Sequence, residues 1–306
     1  MLHLRITVPA EQATDIHQRL SRTPGVAHLA HLPGASTHPP GDLLLCDIAR
    51  EAADAVVEWL QDELVHHRGA ITIGSVGTVV SEAAARAEAA APGHGSDALV
   101  WEELEAAARD DAYLTPSLLV LMGVAAAIAG VGILLDSPIL VVGAMVVGPE
   151  YGPLSSLCVS AARRRWSNVG AALRTLGVAV LIGIAATYLL TLLLRVTTIA
   201  PDAYDISDRQ LTAFISHPDA LAAVVAALAG VAGMLSLTEA RTGTLVGVLV
   251  SVTTIPAVAN IGLAAAYTEA DEVRGATLQL LVNVAGLTLA GIATLAIQSR
   301  LTARRR

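Results

Sequence analysis

Glu150 stands within Gly148-Pro149-Glu150-Tyr151-Gly152-Pro153, in the middle of an apolar stretch long enough to cross a bilayer. A carboxylate at bilayer depth costs about 2.5–3.5 kcal/mol on insertion scales and is usually kept for function. It can exchange a proton or coordinate a cation on a translocation path. Pro149 and Pro153 each remove a backbone donor and clash with the preceding turn, so an undisturbed helix cannot hold both. Irregular backbone at that depth must be buried in protein or line a wet cavity. The competing role for Glu150 is to cap a half-helix beginning near Gly152, since carboxylates suit helix N-termini. The two roles are compatible, and the functional one is favoured here.

A second apolar stretch repeats the theme. Thr253, Thr254, Pro256 and Asn260 bring polar side chains to a proline deep in a predicted span. Threonine and asparagine in membranes more often hydrogen-bond between helices, which is the plainer reading of each. The chemistry expected of the two breaks together is a polar pathway for a small solute or ion. It would be built from Gly148, Pro149, Glu150, Tyr151, Gly152, Pro153, Thr253, Thr254, Pro256 and Asn260.

Six apolar segments must position these residues, at about 116–135, 139–162, 169–194, 220–237, 242–267 and 276–298. Each is near the ~20 residues that cross a bilayer core. Three spans plus three gives the halves opposite orientations. Pro116 and Pro153 are 37 positions apart, Pro218 and Pro256 38, as in an inverted repeat with broken helices. Arginine clusters at 163–165 and 304–306 mark one side, and acids at 202, 205, 208, 219, 269, 271 and 272 the other. The positive-inside rule then places both termini in the cytoplasm, in a multi-pass protein of the cytoplasmic membrane.

Composition agrees with this class: 54% hydrophobic, 15% charged, mean hydropathy +0.61. A net charge of -8 gives no support for nucleic-acid binding. All 19 basic residues are arginine, which reads as coding bias. Cys46 lies in the polar part and Cys158 in a span, an arrangement unsuited to a structural disulfide. The N-terminus lacks the pattern of a cleavable signal peptide. P-loop, dinucleotide and nucleophile-elbow fingerprints are missing from the sequence, so an enzyme is the least supported class and no cofactor is expected. His28, His31, His66 and His67 invite a metal reading. His28 and His31 are three apart in a strand pattern and face opposite sides, and a helix-end His66-His67 suits capping better.

Residues 1–80 alternate strand and helix patterns: strands at 2–8, 26–32, 42–48 and 70–80, helices at 9–20 and 51–66, a loop at 34–41. That order, βαββαβ, is the split βαβ or ferredoxin-like plan. Residues 81–114 read as a short helix, a Pro-Gly-His-Gly linker and an amphipathic helix at 97–113. Its apolar stripe of Leu99, Val100, Leu104 and Ala108 has to be buried, in a homo-oligomer or at the bilayer surface. Residues 115–299 form the membrane domain and 300–306 a basic cytosolic tail.

The run Gly143-Ala144-Met145-Val146-Val147-Gly148-Pro149, continuing to Gly152-Pro153, resembles a motif of the prokaryotic membrane proteins called domain of unknown function 389. So does Gly247-Val248-Leu249-Val250-Ser251-Val252-Thr253-Thr254-Ile255-Pro256, continuing to Asn260-Ile261-Gly262. Glu150-Tyr151 stands where many members carry two apolar residues, and Ile255-Pro256 replaces a double proline. The resemblance implies a cytoplasmic N-terminal domain joined to an integral membrane domain, and no established activity. The expected fold is therefore a six-span all-α membrane domain with an N-terminal α+β ferredoxin-like domain. The expected function is a transporter or channel. The alternative is an oligomeric membrane sensor or scaffold whose N-terminal domain binds a metabolite or partner.

Overall fold

The computed structural model describes residues 1–76, 79–91, 100–201, 211–238 and 254–305. Thr253, the first part of the expected fifth span, the acids at 202, 205 and 208, and residues 92–99 lie outside them. The chain divides into two compact units, Met1–Leu104 with Gln298–Arg306, and Glu105–Ile297.

The first unit holds β1 (Leu2–Val8), α1 (Ala10–Arg22), β2 (Val26–Thr37), β3 (Pro40–Ile48), α2 (Arg50–Asp62), α3 (Val65–Arg68), β4 (Ala70–Ser75) and α4 (Glu82–Ala90). The sheet runs β2-β3-β1-β4, every neighbouring pair antiparallel. Period-two alternation sends Leu2, Leu4, Ile6 and Val8 of β1 to one face, with Leu44, Cys46 and Ile48 of β3 beside them. Ala13, Ile16 and Leu20 of α1, and Ala53, Val56, Val57 and Leu60 of α2, cover that face at helical spacing.

Residues 34–41 differ from expectation. They are strand and hairpin tip rather than loop, because Ser36 pairs with Gly41 and Thr37 with Pro40, and the Asp42 carboxylate accepts from the Gly34 amide at 2.9 Å. The last strand stops at Ser75. The helix expected over 51–66 is broken at Leu64, which takes a left-handed conformation (φ 56°). α4, expected to lead into a linker, packs on β2 and β3.

The second unit contains most of α5 (Trp101–Asp111), then α6 (Pro116–Leu134), α7 (Pro138–Val147), α8 (Tyr151–Ala162), α9 (Trp166–Val196), a 3-10 turn (Ala213–Ile215), α10 (Ala220–Thr238), α11 (Thr254–Ala266) and α12 (Ala270–Arg305). Among the described residues α6, α9, α10 and α12 are long and apolar enough to cross a membrane, and α7 with α8 makes a bent pair that brings the candidate spans to five if it counts as one. α11 is a shorter apolar helix, described from Thr254 onward. α12 carries the expected basic tail as helix out to Arg305.

Several local features of this unit recur 104 positions apart. Thr115 caps α6 by accepting from the Leu118 amide at 3.2 Å, and Asp219 caps α10 by accepting from the Ala222 amide at 2.7 Å. α8 ends through left-handed Arg164 (φ 56°), with the Arg165 amide bonded to the Ser160 carbonyl. α11 ends through left-handed Thr268 (φ 65°), with the Glu269 amide bonded to the Ala264 carbonyl. Both are six-to-one Schellman closures of the kind that usually uses glycine. Trp166 opens α9 and Ala270 opens α12 at the same offset.

Packing follows the same offset, with an exchange. α11 packs against α6 and α9: Gly130 and Gly262 are both pressed onto Thr187. α8 packs against α10 and α12: Cys158 and Met234 both sit on Gly291. Gly130, Thr187 and Cys158 correspond to Met234, Gly291 and Gly262. Each contact puts a small residue opposite a larger one, which lets backbones approach closely where lipid gives no hydrophobic drive between helices. Outward faces carry Val120, Val124, Leu181, Leu189, Leu228 and Leu289, all exposed, as a hydrocarbon solvent requires.

Candidate functional site

The break begins where Gly148 leaves α7 in an extended conformation (ψ 138°), as a residue before proline prefers. α7 and α8 are bent by 56° across it. Of the two prolines only Pro149 sits at the break. Pro153 is the third residue of α8, in the first turn, where a missing amide costs no helical bond. Pro256 lies within α11, which is described from Thr254 onward.

Gly148 is fixed by space. A Cβ there would run into the Ile255 side chain and the Glu150 carboxylate, so glycine is what lets the break lie against the start of α11. Glu150 is the residue before α8 and is 3% exposed. It makes no side-chain cap hydrogen bond, so the capping role does not describe it. Among the described residues its buried Oε2 has no hydrogen-bond partner. Thr254 stands 104 positions later, the first described residue of α11, fully buried, and its Oγ1 also has no partner among the described residues. An orphaned buried polar group costs about 1–3 kcal/mol and calls for an explanation. Here two occur at equivalent positions. The first amides of α8 and the last carbonyls of α7 add unsatisfied backbone groups to the same region.

The other expected site residues are placed differently. Tyr151 is buried and its hydroxyl donates to the Gly233 carbonyl at 2.6 Å, tying α8 to α10. Asn260 is held by Glu272, which accepts from its Nδ2 at 3.1 Å, both buried. Sequence reasoning passed over Glu272 because it sits among loop acids. The one signal was its place in the first turn of the last span. Arg195 donates to the Ala266 carbonyl at 2.5 Å and lies over the Tyr267 ring. It thus neutralises the C-terminal end of α11.

A cavity of about 320 Å³ lies along α8, lined from Ser156 to Ser160 and by α5 and α9. Glu150 does not line it. Ser156 is six residues beyond Glu150, about 9 Å at helical rise.

In the first unit the histidines are paired with carboxylates. Asp47 sits between His3 (Nδ1 at 2.8 Å) and His28 (Nδ1 at 2.6 Å), and His28 Nε2 is 2.7 Å from Ser81 Oγ. His31 is 2.7 Å from Asp42. The expectation that His28 and His31 face opposite sides fails to foresee this, because His28 has φ 50° in a bulge where the register shifts between Ala27 and Ala30. His66 and His67 stack edge to face on each other rather than reaching carbonyls. Burial of Asp47 opposes ionisation, but bonds from His28 and His3 outweigh it and hold its carboxyl below the usual aspartate range. The Gly34 amide, then His31, do the same for Asp42. Cys46 is buried and free, its thiol pushed up to about 12 by burial and then by Asp47.

Long apolar helices, lipid-compatible outer faces and a bent helix pair define a multi-pass membrane protein. Residues 145–289 of its membrane region match the family model Domain of unknown function (DUF389). The match spans both half-helices and bears out the resemblance read from the two proline motifs. No curated protein and no solved structure matches the chain.

Proposed function

We propose that this protein carries a small solute or ion across the membrane through a site between the starts of α8 and α11. The observation that carries the reading is the pair of unpartnered buried groups, Glu150 Oε2 and Thr254 Oγ1, at equivalent positions beside a broken helix. A carrier needs polar groups free to meet a ligand, and discontinuous helices supply them at mid-depth in known transporters.

The 104-position repeat and the exchange of α8 and α11 support six spans arranged as a three-plus-three inverted repeat, with residues 242–253 completing the fifth. The strand order β2-β3-β1-β4 supports a ferredoxin-like plan for the first unit. We place both termini in the cytoplasm of a cytoplasmic-membrane protein, on the arginine asymmetry. We read the protein as a homo-oligomer without catalytic activity.

Proteoliposomes loaded with a pH-sensitive dye and challenged with small anions and monovalent cations test the proposal. Glu150→Gln keeps shape and hydrogen-bonding capacity but cannot titrate. It should fold and insert normally and lose or uncouple flux, and Thr254→Val should reduce it. Normal flux in Glu150→Gln would sink the mechanism. Absence of flux for every probe would favour the sensor reading.

A further inference from the structure

The cavity along α8 has a lining suited to one chemistry. Ser156 and Ser160 lie one turn apart on the same face of α8, 6% and 7% exposed. Neither hydroxyl has a hydrogen-bond partner among the described residues, although a buried serine in a helix readily bonds a carbonyl one turn back. Asn168, in the first turn of α9, reaches the same space, and so do Arg109 and Arg165.

Charge favours an anion. Glu105 also lines the cavity, but it is shared by Arg163 (2.9 Å) and Arg165 (3.0 Å), which leaves that trio net positive. Arg109 makes no ion pair among the described residues. The start of α9, a helix of 31 residues whose Arg165 and Asn168 line the cavity, turns the positive end of its dipole toward it. No side chain caps that start. The volume, about 320 Å³, equals that of roughly ten waters, enough for a small oxyanion with part of its hydration.

The second half of the repeat shows what closure looks like. Ser156, Asn168 and Ala171 correspond to Asn260, Glu272 and Gly275. There Asn260 and Glu272 bond to each other, and Ser216 packs its backbone onto Gly275. The same architecture is thus shut at one end and open at the other, and the open end carries the arginines.

We propose that this cavity binds a small oxyanion, gripped by Arg109 and Arg165, the hydroxyls of Ser156 and Ser160 and the Asn168 side chain, with the positive end of the α9 dipole favouring its charge. The oxyanion is either a free phosphate-like solute or the headgroup of an anionic lipid. The proposal concerns binding and stands apart from the carrier reading.

Calorimetric titration of inorganic phosphate into the full-length protein in phosphatidylcholine nanodiscs tests it. Wild type should bind, and Arg109→Gln and the double variant Ser156→Ala, Ser160→Ala should each weaken binding at least tenfold. Arg174→Gln, on α9 outside the lining, should match wild type. If phosphate does not bind, native mass spectrometry of protein from phosphatidylglycerol nanodiscs decides for the headgroup: wild type retains that lipid and Arg109→Gln loses it. Equal melting temperatures establish that the variants fold. Binding of neither probe, or binding indifferent to both variants, overturns the proposal. Phosphate binding without any flux would remove the carrier reading and leave this site in place.

Discussion

Gly148 gives the sharpest residue-scale expectation, because the space for a methyl group there is taken by Ile255 and by the Glu150 carboxylate. Gly148→Ala should cost about 1–3 kcal/mol, the usual range for overpacking a tight core. Thermal unfolding in detergent would show it, and Gly143→Ala, where a Cβ meets nothing within 4 Å, is the control. A second expectation concerns acid. Asp47 and Asp42 are held below the ordinary aspartate range, so the unfolded chain takes up their protons at higher pH than the folded one. Their contribution is complete above the ordinary range and is lost as pH falls through it toward the lower folded values. Hydrogen exchange of β2 and β3 should therefore quicken as pH drops through that window, after correction for intrinsic exchange. Asp47→Asn should flatten its part of the response. The sequence made Glu150 legible, since a carboxylate in an apolar run stands out. It hid Glu272 and the His3-Asp47-His28-Ser81 chain, which depend on a register shift and a positive φ that no residue type announces.

Helix caps are the clearest readout at the scale of elements. Thr115 and Asp219 perform the same bond 104 positions apart, so Thr115→Ala and Asp219→Ala should destabilise the protein by similar amounts, about 0.5–2 kcal/mol each. Unequal costs in the same unfolding assay would show that the halves bear their load differently. The spans were readable from hydropathy, and the break from its prolines. The spacing of the caps was not readable. Pairing Pro116 with Pro218 differs by two positions from the 104-residue spacing of the caps, which sets Pro116 against Ala220. Proline is welcome anywhere in a first turn, so its position drifts, while a cap is held to one residue by its hydrogen bond.

The arginine asymmetry makes the prediction for the whole molecule. Single cysteines at 202–208 should react with impermeant reagent from outside intact cells, and those at 163–165 only after permeabilisation. Outside labelling of residues 1–80 would reverse the orientation. The exchanged packing bears on how the chain is made. α8 leaves the ribosome well before α10 and α12, the helices that hold its Tyr151 and Cys158. Until they arrive, a bent helix with a carboxylate at its root has no protein neighbours on that face. Biogenesis must therefore hold the first half in waiting, inside the insertion machinery or against another nascent copy. Genes split within the segment 202–210 should yield two halves that are each degraded alone and accumulate together, each acting as the other's chaperone.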